Sequence, residues 1–306
     1  MAQTAAAQET CCWHFPFTNF KFGIQMLEIR SVRKTFALKR GKKGRAVSAD
    51  PREEGKFFHA LQKVDFSLSR GSILGLLGAN GAGKTTLMRI LGTSLQPTAG
   101  TVTLSGFDSV KDANEVRRRV GFLSGTTGLY SHLSADELLH FFGRLYGISE
   151  GELKVRIEAL FEELEIKEFA HRRIETLSAG MKQRISIARS LIHSPEFIIF
   201  DEPTTGLDVP TSQIVLNYIE KCKDSSKSVI FSTHHMHEVE KLCDQVVLIH
   251  QGMVRFFGTV EQMKRKTNCA HLDDAYLTIT GEREGKIKQP FEQFKQIAAE
   301  CEGGRS

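Results

Sequence analysis

One stretch constrains this chain more than any other. Ser72–Leu77 reads SILGLL, a short apolar run of the kind that forms a strand covered on both faces. It passes directly into Gly78-Ala79-Asn80-Gly81-Ala82-Gly83-Lys84-Thr85-Thr86 and then into LMRIL, a glycine-rich loop that opens a helix. The spacing G-x-x-x-x-G-K-[ST] is that of the phosphate-binding P-loop. Its glycines let backbone N–H groups turn inward around a β-phosphate, and the helix N-terminus adds a positive dipole end. Lys84 is placed to reach the β- and γ-phosphates and Thr85 to ligate magnesium. A strand before and a helix after are the context that separates this motif from a chance glycine-rich turn.

A second strand end adds carboxylates. Phe197-Ile-Ile-Phe-Asp201-Glu202 is four apolar residues followed by two acids. A buried strand delivers Asp201 rigidly to a magnesium shell. Glu202, one residue on and differently oriented, is placed to poise a water on a γ-phosphate. Alone this pattern is a common strand end; with the P-loop upstream it is specific. Further strands are predicted at Met26–Phe36, Val64–Leu68, Thr101–Leu104, Val120–Leu123, Val229–Ser232 and Val246–Ile249, the last pairing with Met253–Phe257 across Gln251-Gly252. Between residues 134 and 194 the pattern is helical, opened by Ser134-Ala-Asp-Glu137, which fits a capping box. The fold expected is α/β, a P-loop NTPase core with a mixed sheet, an antiparallel β subdomain and an inserted α-helical subdomain over about 130–194. Residues 1–25 are expected to be a disordered extension and 26–260 the main domain. In the tail, 261–306, LDDAYLTIT (272–280) is the ordered element expected. Residues 37–60 read as a long exposed loop, basic, polar and glycine-bearing.

Leu177-Ser178-Ala179-Gly180-Met181-Lys182-Gln183-Arg184 decides between kinds of P-loop protein. It resembles the LSGGQ signature of the ABC ATPases, and the resemblance covers about Met26 to Gly258. It implies that Ser178 donates its hydroxyl to a γ-phosphate and that Gly180 admits the backbone. Ala179 and Met181 depart from the pattern, and Met181 lacks an amide able to contact the ribose. Pro203-Thr-Thr-Gly-Leu-Asp208 resembles the D-loop, with Asp208 facing a partner subunit. Ser232-Thr233-His234 resembles the H-switch, in which the imidazole holds the γ-phosphate and orients Glu202. Phe36 matches the adenine-stacking aromatic, with Phe57 and Phe58 as rivals. His234, His235 and His237 invite a metal reading, which is weak without supporting carboxylate or Cys ligands. Gly125, within GFLSGTTGLYSHLS, stands where the family carries a glutamine that touches magnesium and the attacking water. Ser124, Thr126 or Thr127 is the candidate replacement.

The resemblance implies ATP and Mg2+ as cofactors. It also implies a second ATP-binding subunit, most simply another copy in a homodimer, because each signature completes the site of the facing protomer. Gly128–Ser134, Phe141–Gly147, His250–Val254 and LDDAYLTIT look like the bacterial sodium-exporter (NatA-type) branch, which includes drug, lipid and polysaccharide exporters. That implies an integral membrane permease subunit and peripheral attachment at the cytoplasmic face of the cell membrane. A regulatory nucleotide-binding module with weak hydrolysis is the alternative, suggested by Gly125, Ala179 and Met181. Translation-regulating ABC proteins carry two ATPase units, and DNA-repair ABC ATPases insert long coiled coils; this sequence shows neither.

Composition agrees. The 306 residues are 41% hydrophobic and 25% charged, enough to build a core. No apolar run approaches the roughly 20 residues needed to span a bilayer. The net charge of +5 owes much to Arg33, Lys34, Lys39, Arg40, Lys42, Lys43 and Arg45, with no interleaved aromatics, so nucleic acid is not an expected partner. Six cysteines without a CxxC pair fit a reducing compartment.

Overall fold

The computed structural model describes residues 25–38, 50–125 and 128–281. Residues 1–24, 39–49, 126–127 and 282–306 lie outside them. So do most of the expected N-terminal extension, much of the basic run, Thr126 and Thr127, and the end of the tail.

The chain begins with β1 (Gln25–Ala37), the two-residue β2 (Glu53–Glu54), β3 (Phe57–Ser69) and β4 (Ile73–Leu77), which feeds α1 (Lys84–Leu91). Next come β5 (Ala99–Leu104), β6 (Phe107–Asp108), α2 (Ala113–Arg119) and β7 (Val120–Leu123). Three helices follow: α3 (Ala135–Leu145), α4 (Glu150–Glu163) and α5 (Ala179–Leu191). The core resumes with β8 (Phe197–Asp201), α6 (Val209–Asp224), β9 (Ser228–Ser232) and α7 (Met236–Leu242). It closes with β10 (Gln245–His250), β11 (Met253–Gly258), α8 (Val260–Thr267) and α9 (Leu272–Thr280).

One sheet runs β6-β5-β1-β3-β11-β10-β4-β9-β8-β7, with β2 added alongside β3. Its β10-β4-β9-β8-β7 half is parallel and its β6-β5-β1-β3 half antiparallel. Burial explains the difference. All five residues of β4 and of β9 are buried, as parallel strands covered on both faces must be. Residues alternate between the two faces, so β8 sends Phe197 and Ile199 into one core cluster and Ile198 and Phe200 into another. The first cluster holds α1 and the antiparallel strands; the second holds α3, α4, α5 and α6.

Local chemistry sets the joints. At Ser134 the expected capping box forms: Glu137 N–H donates to Ser134 Oγ (3.2 Å) and Ser134 N–H to Glu137 Oε2 (2.8 Å). The β10–β11 turn places Gln251 and Gly252 at φ 49° and 75°, the left-handed pair of a tight hairpin.

Two expectations need correction. The exposed loop expected over 37–60 is in part strand: β2 and the first residues of β3 form a small hairpin there, pairing Glu53 with Phe58 and Glu54 with Phe57. Hydrogen bonding along β1 extends β3 back to Phe57, where Ala37 is its partner. In the tail, α8 is ordered as well as the expected LDDAYLTIT element. Its Thr259 cap reciprocates with Gln262, and Val260 and Met263 pack with Leu272 and Ala275 of α9 against β10 and β11.

Candidate nucleotide and phosphoryl-transfer site

The P-loop closes over the end of β4. Gly83 sits at φ 116°, where a side chain would be strained and its Cβ would lie 2.8 Å from the Ala60 carbonyl oxygen. Only glycine lets the loop press so closely on the start of β3. Lys84 is buried, and its Nζ donates to the carbonyls of Gly78 (2.7 Å) and Ala79 (3.2 Å), lying across the mouth of the loop. Burial pulls its pKa down, while Glu202 and Asp201 oppose that pull. The lysine and the two carboxylates therefore share one electrostatic field. Thr85 and Thr86 follow on the first turn of α1, both partly exposed, while Ala79, Asn80 and Gly81 form the exposed crest.

Strand register brings the carboxylates there. Leu76 of β4 pairs with Ser232 of β9, and Ser232 pairs with Asp201 of β8, so three strand ends lie in one row. Ser232 ties the row together. Glu202 N–H donates to Ser232 Oγ (2.9 Å), whose hydroxyl donates to Asp201 Oδ1 (2.8 Å). Glu202 itself has φ 51°, an uncommon conformation for a residue with a Cβ, costing on the order of 1–2 kcal/mol. Thr205 Oγ1 donates to Glu202 Oε2 at 3.1 Å.

A buried carboxylate supports this edge from behind. Glu238 of α7 is 2% exposed and accepts from Thr204 Oγ1 (2.9 Å) and Thr233 Oγ1 (2.6 Å). Thr204 lies two residues after Glu202, and Thr233 immediately precedes His234. His234 is exposed, with its ring 4.1 Å from that of His235, which is 5.7 Å from His237. Among the described residues no group of three or more His, Cys, Asp or Glu side chains is placed to hold a metal. Thr85 and Asp201 are a different kind of donor set, a hydroxyl and a carboxylate, and such hard oxygens suit magnesium.

The other expected residues lie elsewhere. Ser178 caps α5, its Oγ accepting from Met181 N–H (3.3 Å). Gly180 faces α6, where a Cβ would stand 3.1 Å from Thr211 Cγ2. Asp208 caps α6 through Thr211 N–H (3.0 Å), and the Thr211 hydroxyl, followed by that N–H, holds its carboxyl below the usual range. Among the described residues no hydrogen bond joins Ser178, Gly180 or Asp208 to Lys84, Asp201 or Glu202. Phe36 pairs with Phe58 across β1 and β3, so both rings lie on one face and Phe57 on the other. Lys34 Nζ sits 5.2 Å from the Phe36 ring centre, and Arg52 covers Phe58 at 4.8 Å. Gly125 is exposed, and a Cβ there would meet nothing within 4 Å.

Sequence reasoning missed Glu238 and Arg52. The one signal for Glu238 is its place beside Val239 and Leu242 on the buried side of α7. Arg52 had none, because its segment read as exposed loop.

Comparison with known proteins agrees with this geometry. The ABC transporter family model matches residues 61–205. The ABC transporter ATP-binding protein NatA of Bacillus subtilis (strain 168) is 41% identical over 227 residues, 74% of this chain and 92% of NatA. A solved ATP-binding subunit of an ABC transporter superposes with a TM-score of 0.71 at 27% identity, covering 83% of this chain and 99% of the other. The ATP-binding cassette MJ0796, captured as a dimer after hydrolysis with ADP and Pi, gives 0.66 at 25% identity over 76% of this chain and 98% of its own. With the P-loop, the paired carboxylates and these similarities together, the chain belongs to the ATP-binding subunits of the ABC transporters and is an ATPase of that family.

Proposed function

We propose that this subunit hydrolyses ATP to drive export through a separate membrane permease, working as a homodimer at the cytoplasmic face of the membrane. The observation that carries the hydrolytic reading is the three-strand row. It sets Lys84, Asp201 and Glu202 in one field at the strand ends. In this reading Gly78–Thr86 cradle the phosphates, Lys84 neutralises charge developing on the β- and γ-phosphates, and Phe36 stacks on adenine. Thr85 and Asp201 would hold Mg2+, which would supply charge neutralisation to the nucleotide's phosphates. Glu202 accepts the proton of the attacking water, with its carboxylate steadied by the Thr205 hydroxyl. His234, exposed at the end of β9, holds the γ-phosphate and orients that water.

Ser178, Gly180 and Asp208 act in trans on this reading. Within one chain they lie together on α5 and α6, joined by the Gly180–Thr211 contact, and their phosphate is the facing protomer's. Closure then depends on contacts available only with ATP, the differential affinity a switch needs. The permease reading is supported by exposed apolar side chains on and beside α3. Phe141 and Leu145 of α3, Tyr130 before it and Tyr146 at its end are exposed, and Tyr130 meets Phe141 edge-on at 5.9 Å. Among the described residues no helix is long and apolar enough to cross a membrane.

ATP turnover by wild type against Glu202→Gln tests the chemistry. Equal rates would remove Glu202 from catalysis. Co-purification of an integral membrane protein with the native chain, lost in Tyr130→Ser/Phe141→Ser, tests the partner. Recovery of the wild type with no membrane protein would refute the permease reading.

A further inference from the structure

The small hairpin between β1 and β3 touches the phosphate loop. Leu38 N–H donates to the Lys56 carbonyl at 2.8 Å and closes the neck of the insertion. Within it, Arg52 is almost wholly committed. Its Nε and Nη2 donate to Asp50 Oδ1 (2.9 Å) and Oδ2 (2.6 Å), a two-pronged pairing. Its guanidinium lies 4.8 Å from the centre of the Phe58 ring. Its remaining arm, Nη1, donates to the Gly81 carbonyl at 2.6 Å. Only 11% of the side chain is exposed.

Gly81 is the crest of the P-loop. It has φ 78°, and no atom lies within 4 Å of where its Cβ would stand, so no side-chain packing braces it. Its carbonyl belongs to the same peptide unit as the Ala82 N–H, which donates to the Ala79 carbonyl at 3.0 Å. That unit is therefore gripped at both ends, from inside the loop by Ala79 and from outside by Arg52. Glycine loses more conformational freedom on ordering than any other residue, so a glycine crest that is already fixed binds more tightly.

We propose that Arg52 is a positioning residue for nucleotide. It holds the Gly81–Ala82 peptide in its binding geometry before nucleotide arrives, with Asp50 and Phe58 holding Arg52. The role is positional because all three guanidinium nitrogens already donate within the protein, two to Asp50 and one to Gly81, and because both Asp50 carboxylate oxygens sit against its charge. Arg52 in turn draws the Asp50 carboxyl down to about 2. Acting on the loop rather than on the γ-phosphate, Arg52 serves ADP and ATP alike.

The inference rests on the P-loop as the nucleotide site, and calorimetric titration of the full chain with Mg-ADP and Mg-ATP separates the two. If wild type binds neither, the nucleotide-site reading itself fails. Given wild-type binding, Arg52→Ala is expected to weaken both nucleotides by about tenfold, or about 1.4 kcal/mol, the scale of one hydrogen bond from a charged donor. The same factor appears in KM for ATP. Amide exchange at Ala82 speeds up in the nucleotide-free variant. Arg52→Lys does not restore affinity, because an ammonium cannot fork Asp50 and reach Gly81 together. Asp50→Asn, which leaves the hairpin intact, shows a smaller loss of the same sign and stands in if Arg52→Ala does not fold. Unchanged affinities with a lower melting temperature would make Arg52 merely structural and overturn the proposal. A loss confined to ATP would also overturn it, since that is the mark of a direct γ-phosphate contact.

Discussion

Among the described residues Glu238 is buried without a cation partner and its carboxylate accepts from two hydroxyls, so its removal is costly. In Glu238→Ala the Thr204 and Thr233 hydroxyls, 3% and 2% exposed, lose their acceptor. A stranded buried polar group costs about 1–3 kcal/mol. Thr233 keeps part of its satisfaction, because its Oγ1 still accepts from His235 N–H at 3.0 Å. The lost carboxylate no longer has to be desolvated, which offsets some of the loss, while the hole left behind adds to it. The balance is a destabilisation of about 2–4 kcal/mol. Glu238→Gln keeps the shape; its amide oxygen accepts from one hydroxyl and its NH2 group faces the other, so roughly half that loss is expected. Guanidinium unfolding at pH 7 reads the stabilities, and steady-state turnover well below the transition reads the site. Turnover should follow the same order, wild type above Gln above Ala, with the loss in kcat rather than KM. The two threonines flank Glu202 and His234, not the loop that cradles phosphate. If Glu238→Ala unfolds within about 0.5 kcal/mol of wild type, the scale of an inert surface change, the bridge does not hold these segments and the reasoning fails.

His193 supplies a pH signature. Burial, with help from Arg156 and Lys227, pushes its imidazole from 6.5 down to about 4, while the ring stacks on Tyr146 at 4.1 Å. The folded state keeps it neutral and the unfolded chain protonates it below 6.5. Stability is thus full above pH 6.5 and is lost as pH falls toward 4, by at most about 3 kcal/mol. His193→Gln should flatten that slope in denaturant midpoints measured across the range. Gly121→Ala would place a Cβ 2.5 Å from the Ser190 carbonyl oxygen and 2.8 Å from the Pro195 ring. Backbone on α5 does not yield readily, so a loss of about 1–3 kcal/mol is expected as a lowered melting temperature. Gly125→Gln enters open space and should leave stability within about 0.5 kcal/mol. Basal turnover should rise up to about tenfold, the worth of one neutral hydrogen bond; an unchanged rate would show that the missing amide does not limit hydrolysis.

What was legible in the sequence was local. The P-loop, the apolar run ending in Asp201-Glu202, and the cap at Ser134 are set by residues within a few positions of one another. Their geometry follows from backbone chemistry that composition reveals. Strand β3 was cut short because Phe57–Lys63 shows no strict alternation; pairing with β1 extends it. The α8 helix was hidden by VEQMKRKT, in which only Val260 and Met263 are buried. Its Thr259–Gln262 capping box was a readable sign of the start. Arg52 and Glu238 each reach the site through one partner far along the chain, 29 and 34 residues away respectively, and periodicity does not report such pairs.

The segment around Gly125 can now be placed mechanically. Gly125 contributes no side chain to the site, yet the described residues from Gly128 onward are firmly held. Arg189, near the C-terminal end of α5 and 8% exposed, donates to the Gly128 carbonyl at 3.0 Å and lies 5.6 Å from the Phe142 ring centre. Glu175 N–H donates to the Ser131 carbonyl at 3.0 Å, and Ile174 N–H to that of Leu133 at 2.9 Å. Tyr130 rests against Phe141 and Phe142 of α3. The helix that grips this loop through Arg189 carries Ser178 as its cap at the other end, roughly 16 Å away at 1.5 Å per residue. A helix with a buried C-terminal half transmits displacement rather than absorbing it. On the proposed reading, a facing nucleotide that draws on Ser178 therefore pulls the Gly128–Tyr130 end and its exposed aromatic patch with it. A glutamine at position 125 would add a second link from the same loop to the protomer's own nucleotide. On that reading its absence leaves α5 as the link between the patch and the partner's ATP.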